Sequence, residues 1–178
     1  MTTVYKLTDE NAQTFNATQW GENVTHTASG EGDLCGPGWL HAYSDPLLAV
    51  LLNPIHANFE HPRLWECEAT VGKDDHGLKL GCTSLTTLRE IPLPQVTNEQ
   101  RVRFGILCAL AVKRPWKGRA RWRRWAEAWL QGDRDSNAAV YYAYADAAFA
   151  AFAADAACAA YESLRDRCRR AAAELGGA

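Results

Sequence analysis

The sequence predicts an α+β protein: a small antiparallel β-rich unit with one short helix, followed by a helical region that ends in a long Ala-rich helix. Three observations carry that expectation. Residues 1–99 hold five Lys/Arg against thirteen Asp/Glu and residues 100–178 hold fourteen against eight, so the chain changes sign near its middle while its net charge stays at −2. The first part alternates apolar and polar residues with period two and is punctuated by Gly and Pro, the pattern of half-buried strands. The second part repeats apolar residues at helical spacing, and seventeen of the 37 residues from Ala138 to Glu174 are Ala, the best helix former. The expected division is 1–96 and 97–178, the basic second part packed on the acidic first.

Each element follows from local chemistry. Thr3 to Leu7 is β-compatible. Asp45 is an N-cap and Pro46 suits the first helical position, where its missing N–H has no bond to lose; Leu47 to Leu52 are apolar, and Asn53-Pro54 is expected to stop the helix. Leu64 to Val71 alternates, with Trp65, Cys67, Ala69 and Val71 on one face and Leu64, Glu66, Glu68 and Thr70 on an acidic outer face. Lys73 to Gly77 is a turn leading to a strand from Leu78 to Cys82, and Leu85 to Ile91 makes a further strand ended by Pro92 and Pro94. Together these read as an antiparallel meander.

Thr97 and Gln100 form a capping box for a helix with Val102, Phe104, Ile106, Leu107, Leu110 and Ala111, which breaks before Pro115. A second helix follows Gly118, with Trp122, Trp125 and Trp129 on one face and Gly132 near its end. Asp135-Ser136-Asn137 caps a third, from about Ala138 to Leu175, whose Tyr141, Tyr142, Phe149 and Phe152 share one arc. That arc is expected to bury itself on the Trp helix or, in a homodimer, on a second copy of the chain.

The N-terminal residues lack a basic segment followed by an apolar run, and no segment reaches the roughly 18 apolar residues that a membrane span needs. A cytoplasmic location without membrane contact is expected. Six widely spaced cysteines in a chain large enough to need no staples suit reduced thiols. Asn16-Ala-Thr18 and Asn23-Val-Thr25 match the glycosylation acceptor pattern, read as coincidence in that compartment. No metal is expected: there is no C-x2-C, and His56 and His61 miss helical i, i+4 spacing. No cofactor is expected either.

Three constellations carry chemistry. Asp33 to Pro46 joins a Gly/Pro turn to His41, Tyr43 and Ser44 just before a helix N-terminus, where free N–H groups and the helix dipole favour an anion such as a phosphate; the competing reading is a strand whose His41 and Tyr43 share a face and pack. Glu66, Glu68 and Glu90 are carboxylates able to divide acid and base roles, or else a solvated strand face. The third is the basic stretch Lys113, Arg114, Trp116, Lys117, Arg119, Arg121, Arg123 and Arg124. Interleaved with Trp122 and Trp125, it has the composition of a contact with nucleic acid or an acidic protein. Its competing reading turns the indoles to the core and leaves the arginines in solvent.

The run from Val4-Tyr5-Lys6 through Cys35, Gly38, His41-Ala42 and Glu66-Cys-Glu68-Ala69 to Arg89-Glu90-Ile91 resembles a family of small phage and prophage proteins with no assigned activity. The tail from Trp122 to Ser136, with the Ala/Tyr repeats after it, is similar to Ala-rich helical segments of phage and immunity proteins. The resemblance implies an accessory protein that binds and blocks a host macromolecule, a host protein or ribonucleoprotein complex, in the manner of anti-CRISPR proteins, with Lys113 to Arg124 as the contact. A more distant similarity is to ADP-ribosyltransferases. It implies NAD chemistry, with Lys6, Tyr43 and Ser44, and Glu66, Glu68 or Glu90 in the family's roles. Here Lys6 stands where that family has Arg or His, and no Glu-x-Glu stands in the usual late position. A nucleic-acid binder is the third class.

Overall fold

The computed structural model describes residues 1–74, 79–111 and 119–133, and the chain divides into two units, Met1–Gln95 and Val96–Ala178. In the first, the order is β1 (Thr2–Thr8), β2 (Gln13–Thr14), β3 (Thr18–Gln19), β4 (Val24–Thr27), β5 (Leu40–Ala42), α1 (Pro46–His56), β6 (Arg63–Asp74) and β7 (Leu80–Ile91). The second contributes α2 (Asn98–Ala111) and α3 (Arg119–Leu130). The α+β class is as the sequence predicts. The Ala-rich third helix, its aromatic arc and the turn at residues 75–78 lie outside the described residues.

The sheet is antiparallel throughout but is not a meander, because β1 pairs with β6 rather than with the strand that follows it. Alternation in the sequence fixes which side chains share a face, not which strand lies alongside. β6 and β7 form a hairpin, and β4 and β5 both line the other edge of β7, opposite Ser84–Thr87 and Leu80–Cys82. Just past β5 the chain returns to β1. Tyr5 N–H donates to the Tyr43 carbonyl over 2.8 Å and Tyr43 N–H to the Tyr5 carbonyl over 2.7 Å. The circuit β1-β6-β7-β5-β1 is thus closed as a small barrel whose seam is a single bridge.

The two strands expected from Leu78 to Cys82 and Leu85 to Ile91 are one. Cys82 pairs with Val71 and Ser84 with Thr70, so Thr83 is an extra residue in the ladder. This bulge absorbs the three-residue step between Cys82 and Leu85, and both are fully buried. A second bulge at Leu88, between Thr87 opposite Cys67 and Arg89 opposite Glu66, bends the other end.

The interior holds Val4, Ala42, Trp65, Cys67, Ala69, Leu80, Cys82 and Leu85, joined by Ala12 and Trp20. The Trp65 indole N–H donates to the Thr8 hydroxyl over 3.0 Å, so the large ring is buried without losing a hydrogen bond. Leu64, expected on the solvated face with Glu66, is fully buried. It pairs with buried Leu7 on the outer side, where α1 packs against β1. α1 also runs past Asn53-Pro54 to His56. Pro54 removes one N–H, yet Ala57 N–H still reaches the Asn53 carbonyl over 3.0 Å, and the Asn53 amide pins Phe59 through both its oxygen and its nitrogen.

In the second unit the capping box forms as the sequence predicts. Gln100 Oε1 accepts from Thr97 N–H over 2.8 Å, and Thr97 Oγ1 accepts from Gln100 N–H over 3.2 Å. Ile106 of α2 packs with Trp122, Ala126 and Trp129 of α3, with Val102, Leu110, Trp125 and Leu130 around them. Just past the end of α3 stands Gly132, whose φ of +103° is one that side chains resist. Among the described residues no helix is long and apolar enough to cross a membrane.

Candidate functional site

In the barrel, period two puts Lys6 on the same face as Val4 and Thr8, and its register opposite Trp65 confirms that this face points inward. The Lys6 ammonium lies 4.4 Å from the Trp20 ring centroid and donates to the His41 carbonyl over 2.9 Å. Burial lowers its pKa to about 8, an effect that the Cys67 and Cys82 thiols nearby partly oppose. Burial in turn pushes those thiols up to about 12 and about 11. Lys6 is thus a cation stabilised by a ring face and one carbonyl.

The segment that carries Leu34 and Cys35 folds over the β6–β7 hairpin. Trp39 fills the space left by the missing side chains of Gly72 and Gly81: a Cβ at Gly72 would meet the Trp39 ring at 2.6 Å, and one at Gly81 would meet Leu34 Cδ1 at 2.5 Å. Trp39 Nε1 donates to the Gly32 carbonyl over 3.2 Å, and Lys73 Nζ donates to the same oxygen over 2.5 Å. His41 Nε2 bonds the Leu34 carbonyl. Burial, with Lys79 and Lys6 nearby, holds His41 below its ordinary value against the opposing effect of that bond. Lys79, only 8% exposed, donates to Cys35 Sγ over 3.0 Å.

Tyr43 faces outward, the side opposite Lys6. Its hydroxyl meets His56 Nδ1 at 3.2 Å, the two rings stack at 5.8 Å between centroids, and burial raises its phenol above the ordinary tyrosine range. Ser44 is exposed. Tyr43 pairs with Tyr5, Tyr5 with Glu66 and Glu66 with Arg89, so these four form one cross-strand row on the outer face. Arg89 donates to Glu66 over 2.8 Å, and exposed Glu68 follows two residues on along that face. Arg63 pairs with Glu90 over 2.5 Å. The sheet therefore separates Lys6 from Tyr43, Glu66 and Glu68. At the start of α1, Asp45 Oδ1 accepts from Leu47 N–H over 2.7 Å, filling with the chain's own carboxylate the position an anion would take.

In α3 the indoles turn to the core, with Trp122 and Trp129 buried and Trp125 half-buried 6.4 Å from Trp122. Arg121, Arg123 and Arg124 are exposed, and Arg123 bonds Glu127 one turn on over 2.8 Å. Arg119 opens the helix. Lys113, Arg114, Trp116 and Lys117 lie outside the described residues.

Sequence reasoning did not reach the pairing of Lys79 with Cys35, of His56 with Tyr43, or the seat of Trp39. For Lys6 a signal existed, since alternation groups it with Val4. For the others the partners are far apart in the chain and carry no spacing rule. No protein-family model, no curated protein and no solved structure matches this chain.

Proposed function

We propose that the chain is a phage-type accessory protein that binds and blocks a host macromolecule through the basic face of α3, in the manner of host-defence inhibitors of the anti-CRISPR kind. The observation that carries this reading is the exposure of Arg121, Arg123 and Arg124 along α3; Trp122 and Trp129 are buried, as the competing reading expects, so the contact falls to the arginines alone. Exposed guanidiniums are fitted to carboxylates or phosphates because their planar donors bind such groups in pairs. A partner with an acidic surface follows from that chemistry, and the resemblance to phage proteins supplies the host as its source.

The test is affinity capture from a nuclease-treated bacterial host lysate with the wild-type chain and with Arg121, Arg123 and Arg124 all replaced by Glu. One stoichiometric host complex, lost with the variant while its circular dichroism is unchanged, supports the reading. Equal capture by both proteins overturns it. Affinity that falls linearly with the logarithm of salt would move the assignment to nucleic acid.

An NAD-using activity is the second reading: Tyr43, Tyr5 and Glu66 form one row beside exposed Glu68, and Lys6, on the other face of the sheet, takes no part in it. It requires NAD turnover that Glu68→Gln or Tyr43→Phe abolishes. Absence of turnover in the wild-type chain removes it.

A further inference from the structure

We propose that Cys35 and Lys79 form an oxidative modification site, joined reversibly through one bridging oxygen atom as an S–O–N cross-link. Two independent observations meet here. Cys35 is exposed, so oxidants and reductants reach its sulfur, and it is a free thiol. Lys79 comes from a point 44 residues away in the sequence and is more than nine-tenths buried, with its Nζ 3.0 Å from that sulfur. Among the described residues the thiol is the hydrogen-bond partner of this ammonium, and no carboxylate pairs with it. A thiol is a poor acceptor for a desolvated cation, so this pairing is unfavourable unless the two groups have another use. A buried amine facing an accessible thiol at hydrogen-bond distance needs only a small closure for an oxygen to join them.

The oxidant is dioxygen, and the atoms balance. The lysine ammonium, the cysteine thiol and one dioxygen give the S–O–NH bridge, one water and one proton. The S–H bond and two N–H bonds break while the S–O and O–N bonds form. Sulfur and nitrogen each give up two electrons, and the four reduce dioxygen, one atom of which stays in the bridge while the other leaves as water. A thiol reductant returns the free groups, since the sulfur remains at the reversible oxidation level of a sulfenic acid.

The local architecture limits the reaction to this pair. Trp39, seated against Gly72 and Gly81, and His41, bonded to the Leu34 carbonyl, hold the Cys35 segment over the start of β7. Cys67 and Cys82 are buried and their thiols lie well above the ordinary cysteine range, so they are poor competitors for oxidant. Lys73, the other lysine of this end, donates instead to the Gly32 carbonyl.

The full-length chain, reduced and then exposed to air-saturated buffer, is digested and read by mass spectrometry. The expected result is one cross-linked peptide pair containing Cys35 and Lys79. Its mass exceeds the sum of the two peptides by one oxygen less two hydrogens, and dithiothreitol abolishes it. Cys35→Ser and Lys79→Arg each remove it, and Lys73→Arg leaves it unchanged. A Cys35-to-Cys35 disulfide between chains, a sulfinic acid at Cys35 without the cross-link, a directly joined S–N pair lacking the oxygen, or no change in mass would each overturn the proposal. The wild-type measurement decides by itself, should a variant fail to fold.

Discussion

The barrel and α3 treat their cations in opposite ways. In the barrel, Lys6 and Lys79 are buried and are met by neutral groups: a ring face, a carbonyl and a thiol. In α3, Arg121, Arg123 and Arg124 stand in solvent while the apolar work falls to Trp122 and Trp129. The cause is geometric. A strand has only two faces, and a barrel that turns one inward takes in whatever the alternation places there, including Lys6. A helix spreads its side chains at 100° intervals and separates guanidinium from indole without conflict. The inward cations therefore weigh on the stability of the fold, and the outward ones leave the α3 core undisturbed.

The contrast breaks most sharply at the α3 core. Trp129→Ala is expected to cost about 3–5 kcal/mol, whereas Arg124→Ala is expected to stay within about 0.5 kcal/mol. Urea denaturation followed by helical circular dichroism compares them. Equal effects would mean that the indoles are not the core of this unit.

Lys6 sharpens the other side. Its pKa falls from 10.5 to about 8 on folding, so below pH 8 the fold carries a buried charge, and stability rises as pH climbs from about 8 to about 10.5 and the folded form alone loses the proton. That difference is worth about 3 kcal/mol. Lys6→Met removes the linkage, so its stability relative to wild type should decline by that order between pH 7 and pH 10.5. Ionisation of the unfolded Cys67 and Cys82 thiols is common to both proteins and cancels. A constant difference across that range would show that Lys6 titrates as in water.

Gly81→Ala places a Cβ 2.5 Å from Leu34 Cδ1 and 3.0 Å from the Trp39 ring, and is expected to cost about 1–3 kcal/mol and to slow formation of the Cys35–Lys79 cross-link. Asp45→Ala removes the cap on Leu47 N–H for a smaller loss, about 1 kcal/mol. Thermal unfolding ranks the two.

Local chemistry was the legible part. Thr3 to Leu7 announces a strand, Asp45-Pro46 a helix start, Thr97 and Gln100 a capping box, and the Trp spacing one buried face. Pro54 misled because a proline forfeits one N–H without always ending a helix: Ala57 N–H still bonds the Asn53 carbonyl, and the Asn53 side chain holds Phe59 just beyond the end. The gap between Cys82 and Leu85 misled because a bulge at Thr83 carries the strand across it. The seam at Tyr43, the seat of Trp39 and the meeting of Cys35 with Lys79 were not legible. Each depends on a partner supplied by tertiary packing, and a side chain's type does not name its partner.

The single-bridge seam also bears on the order of events during synthesis. β1 leaves the ribosome before both of its neighbours, Tyr43 on one side and Arg63–Ala69 on the other. β6 in turn lies against β7, which ends at Ile91. The chain must therefore emerge as far as Ala69 before β1 has both partners, and until then its face of Val4, Lys6 and Thr8 waits uncovered. An exposed strand in waiting is the species that associates wrongly. A charged lysine in the middle of an unpaired strand opposes such association, and Lys6 stands there until the barrel closes and buries it.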